Sequence, residues 1–316
     1  MTDQPFAITP ALADLIDRDD PADPIARQFL PDARERDAAP EELADPIGDE
    51  RFSPVKGIVH RYPDRVLLKP TLACPAYCRF CFRRETVGTA KSTLTAMELR
   101  AALTYIEAHP EIWEVILSGG DPLALSPRRL GRIVRRIDEI AHVEVVRIHT
   151  RVPIADPPRI GDALIAALRA EKPVYVVVHC NHAKELSPAA CTALARLADA
   201  GHPLLAQTVL LKGVNDDAAT MESLMRALVR NRVKPYYLHH ADLAPGTAHF
   251  RTTIAEGQAI VGQLRGRVSG LCQPTYVLDI PGGHGKVPVG PCYFEGPDED
   301  GAYQVIDPAG GAHRYP

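Results

Sequence analysis

From Val66 onward, short apolar and β-branched runs recur along the chain. They begin near residues 66 (VLLKPT), 113 (WEVIL), 143 (VEVVRI), 174 (VYVVV), 204 (LLAQTVLL), 234 (KPYYL) and 275 (TYVLDI), and the last six starts lie 30, 31, 30, 30 and 41 residues apart. A period of about 30 residues is one strand plus one returning helix. The stretches between carry apolar residues at helical spacing, as at Leu130, Ile133, Val134 and Ile137, or Met221, Leu224, Met225 and Leu228. Strands with no polar alternation belong to a parallel sheet covered on its outer face. The predicted fold class is therefore α/β, an incomplete TIM-like barrel of (β/α)6 type with parallel strands over residues 58–295, in preference to a doubly wound sheet. Residues 1–57 hold Pro at 5, 10, 21, 24, 31, 40, 46 and 54, which breaks long elements. They read as a mostly helical N-terminal extension of short helices joined by turns, and residues 296–316 read as a C-terminal tail.

Charge narrows the function. Lys and Arg number 36 against 40 Asp and Glu, a net charge of −4, so no basic field exists to hold nucleic acid or anionic lipid. No apolar stretch approaches the ~18 residues of a membrane span, and the start, MTDQPFAITP, lacks the cationic-then-apolar order of a secretion signal. The expected location is cytoplasmic. Seven cysteines are too few for a disulfide scaffold, and three of them fall within eight residues.

In barrels of this kind the chemistry sits on loops after the C-terminal ends of strands, and the unusual residues fall there. Cys74, Cys78 and Cys81, spaced C-x3-C-x2-C, follow the first barrel strand. Three thiolates complete neither a tetrahedral zinc site nor an all-cysteine cubane, so one coordination position stays open. A structural zinc with Cys180, His60 or Cys272 as a distant fourth ligand is the alternative. Ser118-Gly119-Gly120-Asp121 follows the second strand, where two glycines either admit a ligand close to the backbone or make a plain turn. Lys286 ends DIPGGHGK, which is no Walker A loop, because Ile280 stands where that motif needs Gly and Val287 where it needs Ser or Thr. A lysine held by glycine-rich backbone can bond to pyridoxal phosphate, with Arg65 for the phosphate and Tyr62 for the ring; a solvated surface lysine is the alternative.

Taken together, the segments AITPALADLID, SPVKGIVHRYPDRVLL, CPAYCRFCFRRE, LSGGDPL, HCNH, LLKGVND, KPYY, HFRT, SGLCQPTY and PGGHGKVP resemble the lysine 2,3-aminomutase family of radical S-adenosylmethionine enzymes, along nearly the whole chain. The resemblance implies that Cys74, Cys78 and Cys81 hold three irons of a 4Fe-4S cluster, whose fourth iron is chelated by S-adenosylmethionine. It further implies that Ser118, Gly119, Gly120 and Asp121 bind the amino group of that cofactor, with His179 near it and Gln207 between the two cofactors. Lys286 matches the lysine that carries pyridoxal phosphate, Arg65 the phosphate ligand and Tyr62 the residue packed at the ring. Arg83 matches the substrate carboxylate ligand, a task suited to a bidentate guanidinium. Asp242 and Asp279 match two carboxylates that grip the ε-ammonium of lysine. The implied reaction moves the α-amino group of L-lysine from C2 to C3 through a 5'-deoxyadenosyl radical, giving β-lysine. A low-potential electron donor is needed, and a homo-oligomer is expected.

Two departures stand out. Asp217 follows GVND where the family has a cysteine, and no cysteine follows Cys292, so no zinc is expected. His239 stands where the family has tyrosine. Cys180, Cys191, Cys272 and Cys292 read as small buried residues. The alternatives are the shorter relative that makes β-lysine for elongation factor P, a 2,3-aminomutase for another cationic amino acid such as arginine or ornithine, and a zinc-binding interaction module without activity.

Overall fold

The computed structural model describes residues 5–37, 39–88 and 93–316, so the first four residues of the stretch read for a secretion signal, and Ala38 in the N-terminal extension, lie outside the described residues. One sheet organises the molecule, in the linear order β1 (Ile58–Tyr62), β2 (Arg65–Thr71), β3 (Glu114–Gly119), β4 (Val145–Thr150), β5 (Val174–His179), β6 (Leu204–Val209), β7 (Val233–His239), β8 (Thr275–Asp279) and β9 (Lys286–Pro288). Strands β2 to β8 pair in parallel. At the two edges β1 and β9 run antiparallel to their neighbours. The sheet curls without closing, giving the open half-barrel expected from the 30-residue rhythm.

Six crossovers join the seven parallel strands, carried mainly by α3 (Ala96–Glu107), α4 (Pro127–Asp138), α5 (Val152–Ala155), α6 (Asp162–Ala167), α7 (Pro188–Asp199), α8 (Ala218–Arg230) and α9 (Ile254–Leu264). Local sequence sets their starts. Thr95 with Glu98 and Thr253 with Glu256 form capping boxes, while Ser126-Pro127 and Ser187-Pro188 place a capping hydroxyl before a first-turn proline. Asp217 caps α8 by accepting from the N–H groups of Ala219 and Thr220 at 3.0 and 2.9 Å. The apolar stripes of α4 and α8 read from the sequence are buried, and β3 is buried along its whole length.

Helix in residues 5–57 is confined to α1 (Pro10–Ala13), α2 (Pro24–Phe29) and two 3-10 turns, Ala33–Arg36 and Glu50–Phe52. Leu12, Ile25 and Phe29 enter the main core. The segment runs across the cysteine loop, where Tyr77 N–H donates to Ala7 O at 3.0 Å and Arg79 N–H to Gln28 O at 2.8 Å. It ends against the loop before β9, where Gly282 N–H donates to Pro46 O at 3.1 Å. The region read as a tail pairs with itself: β10 (Tyr303–Ile306) and β11 (Ala312–Tyr315) make a hairpin outside the main sheet. Cys180 and Cys272 are buried and Cys191 half-buried, but Cys292 is exposed on the connection to this hairpin, contrary to the expectation from the sequence. Among the described residues, no helix is long and apolar enough to cross a membrane.

The seam at Gly48 is tight. Its φ is +68°, and a Cβ there would lie 2.8 Å from backbone atoms of Gly282 and Gly283. Gly48→Ala is expected to lower stability by about 1–3 kcal/mol, as a reduced urea midpoint, and to expose residues 5–57 to protease before the barrel is cut.

Candidate active site

The C-terminal ends of the parallel strands open into one cavity of about 690 Å³. The residues assigned by the family resemblance all line it: Cys74, Cys78, Cys81, Arg83, Ser118, Gly119, Gly120, Asp121, His179, Gln207, Asp242, Asp279, Lys286, and Tyr62 and Arg65 at the β1–β2 edge; His60, Cys180 and Cys272, the alternative fourth ligands, do not.

The cysteine loop leaves β2 beside the glycine loop that ends β3. Gly120 N–H donates to Thr71 O at 2.8 Å and Asp121 N–H to Ala73 O at 2.9 Å. A Cβ on Gly120 would lie 2.5 Å from Ala73 O and Leu72 C, so a glycine is required for the two loops to meet. Burial favours the neutral thiol at all three cysteines, carrying Cys78 to about 11, and negative charge on Cys81 adds to the effect at Cys74 and Cys78. Three half-buried cysteines whose thiolates repel one another suit a cationic metal centre. Among the described residues no three His, Cys, Asp or Glu side chains are grouped closely enough to hold a single metal ion.

Asp121 is spent on the chain itself. Its carboxylate accepts from Leu123 N–H at 3.0 Å, Thr150 Oγ1 at 2.8 Å and Arg151 N–H at 2.7 Å, bracing the loops after β3 and β4. His179 faces His149 with ring centroids 5.9 Å apart; burial and then Arg151 push it down to about 3, so the imidazole is neutral. The other members of the HCNH segment serve the fold: Asn181 Oδ1 accepts from Val209 N–H at 2.9 Å, and His182 accepts from Lys184 N–H at 3.1 Å.

Lys286 begins β9 and stands opposite Asp279 in the antiparallel ladder. Its Nζ is ion-paired with Asp279, lies 3.3 Å from His239 Nδ1 and sits 5.6 Å from the Tyr237 ring centroid. Its backbone N–H donates to Tyr62 Oη at 2.8 Å, and the Arg65 guanidinium stacks 3.9 Å from the Tyr62 ring centroid. Burial alone would raise Asp279, but His239 and Lys286 outweigh it and hold the carboxyl below the usual range. At Asp242 burial first, then Asp279, outweighs Lys286, Arg83 and Arg61 and pushes the carboxyl up to about 7. The Nε2 atoms of His149 and His239 are buried without a partner on this wall. A lysine flanked by an arginine-backed tyrosine and unpartnered imidazoles fits a phosphorylated aromatic aldehyde, which Lys286 could bond.

Several residues escaped the sequence reading. Arg83 is already engaged, its Nε donating to Asp49 Oδ2 at 2.9 Å, and Asp49 also meets Arg61 and Lys69 at 3.5 Å each. Asp49 carried no signal among the many aspartates of the N-terminal segment. Arg147 pairs with Glu114 at 2.7 Å across β3 and β4. His149 and Arg151 end β4, and position after a strand was signal enough to find them.

Comparison with known proteins follows the same lines. Residues 68–224 match the Radical SAM superfamily, and residues 261–300 match the Lysine-2,3-aminomutase family. The chain is 45% identical over 288 residues to L-lysine 2,3-aminomutases from Acetoanaerobium sticklandii and Clostridium subterminale, covering 91% of this chain and 70% and 69% of theirs. It is 39% identical to a glutamate 2,3-aminomutase from Clostridioides difficile, over 92% of this chain and 68% of that one. A radical SAM methyltransferase from Sphaerobacter thermophilus shares the fold with a TM-score of 0.50 at 20% identity, covering 70% of this chain and 68% of that one.

The Asp242 carboxyl gives a pH-dependent signature in cofactor-free protein. Because the folded state keeps this proton up to about pH 7 whereas an unfolded aspartate loses it near pH 4, folding is penalised increasingly as pH rises between those values. Asp242→Asn is therefore expected to gain stability over the parent between pH 5 and pH 8, by on the order of 1–4 kcal/mol. Urea midpoints at the two pH values check it, and a pH-independent gap would count against the titration.

Proposed function

The chain belongs to the lysine 2,3-aminomutase family within the radical SAM superfamily, and from that membership we propose that it moves the α-amino group of L-lysine from C2 to C3, giving β-lysine. The superfamily implies a 4Fe-4S cluster and S-adenosylmethionine, and the aminomutase family brings pyridoxal phosphate. When bound, these groups supply one-electron cleavage to a carbon radical and an electron-accepting ring on the substrate nitrogen.

The residues divide that work. Cys74, Cys78 and Cys81 would hold the cluster. Ser118 to Asp121, His179 and Gln207 would place S-adenosylmethionine, with Asp121 holding the loop in shape. Lys286 would bond the pyridoxal aldehyde, Tyr62 would pack at its ring and Arg65 would hold its phosphate. Arg83 would take the substrate carboxylate, its guanidinium kept in line by Asp49.

The observation that carries the choice of substrate is the placement of Asp242 and Asp279 on the same cavity wall as Lys286. A substrate ammonium would meet these two carboxylates, whereas a glutamate side chain would bring a third anion to the same place.

Protein reconstituted anaerobically with S-adenosylmethionine, pyridoxal phosphate, dithionite and lysine is expected to yield 5'-deoxyadenosine and β-lysine by mass spectrometry, and glutamate is expected to give no β-isomer. Asp242→Asn or Asp279→Asn is expected to raise KM for lysine about 10- to 100-fold, the value of a hydrogen bond to a charged group. Turnover of ornithine or arginine but not lysine would move the assignment to that amino acid. Neither product from cluster-loaded protein would sink it.

A further inference from the structure

The loop after β4 sets a buried cation against the cysteine loop. Arg151 is 7% exposed. Its guanidinium lies 5.5 Å from the ring centroid of Phe80, which stands between Cys78 and Cys81, and 5.3 Å from that of Phe29 on α2. Nη1 donates to Glu185 Oε2 at 2.9 Å and reaches Gln28 Oε1 at 3.5 Å. The other oxygen of Glu185, a fully buried residue, accepts from the N–H groups of Asn181 and His182 at 2.8 Å each and from Gln28 Nε2 at 3.1 Å.

The pair is thus oriented, with its cation stacked on the cysteine loop and its anion held behind by four donors. Such buried pairs contribute little net stability, because desolvation offsets the attraction. Arg151 lines the same cavity as Cys74, Cys78 and Cys81.

We propose that Arg151, positioned by Glu185, tunes the cluster held by Cys74, Cys78 and Cys81, its fixed positive charge making one-electron reduction easier. The proposal rests on the reading that this loop holds a 4Fe-4S cluster. Reduction adds one electron from an external reductant and no proton, so the cluster becomes more negative and a nearby cation stabilises the reduced form more than the oxidised one.

The test is an anaerobic redox titration of reconstituted protein with dithionite and mediators, read by electron paramagnetic resonance. Arg151→Gln is expected to lower the ratio of reduced to oxidised cluster about tenfold at fixed poise, a shift of about 59 mV for one electron. Arg151→Lys should stay near the parent, and Glu185→Gln should shift the ratio in the opposite direction. An unchanged potential in Arg151→Gln, or shifts of one sign in both charge-removing variants, overturns the proposal. If Arg151→Gln does not fold, Glu185→Gln decides alone, and an unchanged or lowered ratio there overturns it. Parent protein that takes up no cluster overturns the cluster reading and this proposal with it, and that failure is distinct because it precedes any substitution.

Discussion

Seven parallel strands cannot be joined by hairpins. Each must return outside the sheet before the next begins, and here six crossovers do so, so that all seven C-terminal ends reach one rim. That constraint gathers cysteines after β2, glycines at β3, histidines at β4 and β5, and carboxylates after β7 and β8 around one cavity. The two edges depart from this rule, and the departure at β9 is productive. After β8 the chain reverses into β9 with no helix, and the antiparallel register sets Lys286 opposite Asp279.

Charge is unevenly spread around the cavity. At one side Arg61, Lys69 and Arg83 converge on Asp49, and Arg61 also reaches Asp279 at 3.9 Å. At the other, Asp242 and Asp279 share a wall with Lys286 and His239. The N-terminal segment belongs to the arrangement, since it supplies Asp49 and also Glu35, which pairs with Arg79 and Arg84 beside the cysteines. His239, on the carboxylate side, meets Asp279 at 3.5 Å.

Buried polar groups here are organised in chains and not in isolated pairs. Asp121 ties two loops together, Asn181 and Glu185 tie two more to α2, and Arg151 connects both sets. In a low-dielectric interior an unmet donor or acceptor is costly, so these connections hold the rim residues in one geometry. The unpartnered imidazole nitrogens of His149 and His239 are exceptions on the same rim.

The order of the seven parallel strands and their helices was legible in the sequence because hydrophobic periodicity is local, whereas the edge strands β1 and β9 and the β10–β11 hairpin lie outside the apolar runs. The stripes of α4 and α8 and the cysteine, glycine and lysine motifs were legible for the same reason. What the periodicity left open was decided by tertiary structure. Asp49 and Glu185 look like ordinary acids in sequence, yet each is fixed by cations that arrive from remote segments. Asp121 matched a cofactor motif, but its carboxylate is occupied by partners on the next strand's loop. Cys292 matched a buried residue by type and is exposed, because the hairpin beyond it packs outside the barrel. Motifs report which chemistry a chain can perform; which charges meet depends on segments brought together only when the sheet curls, and no local pattern encodes that distance.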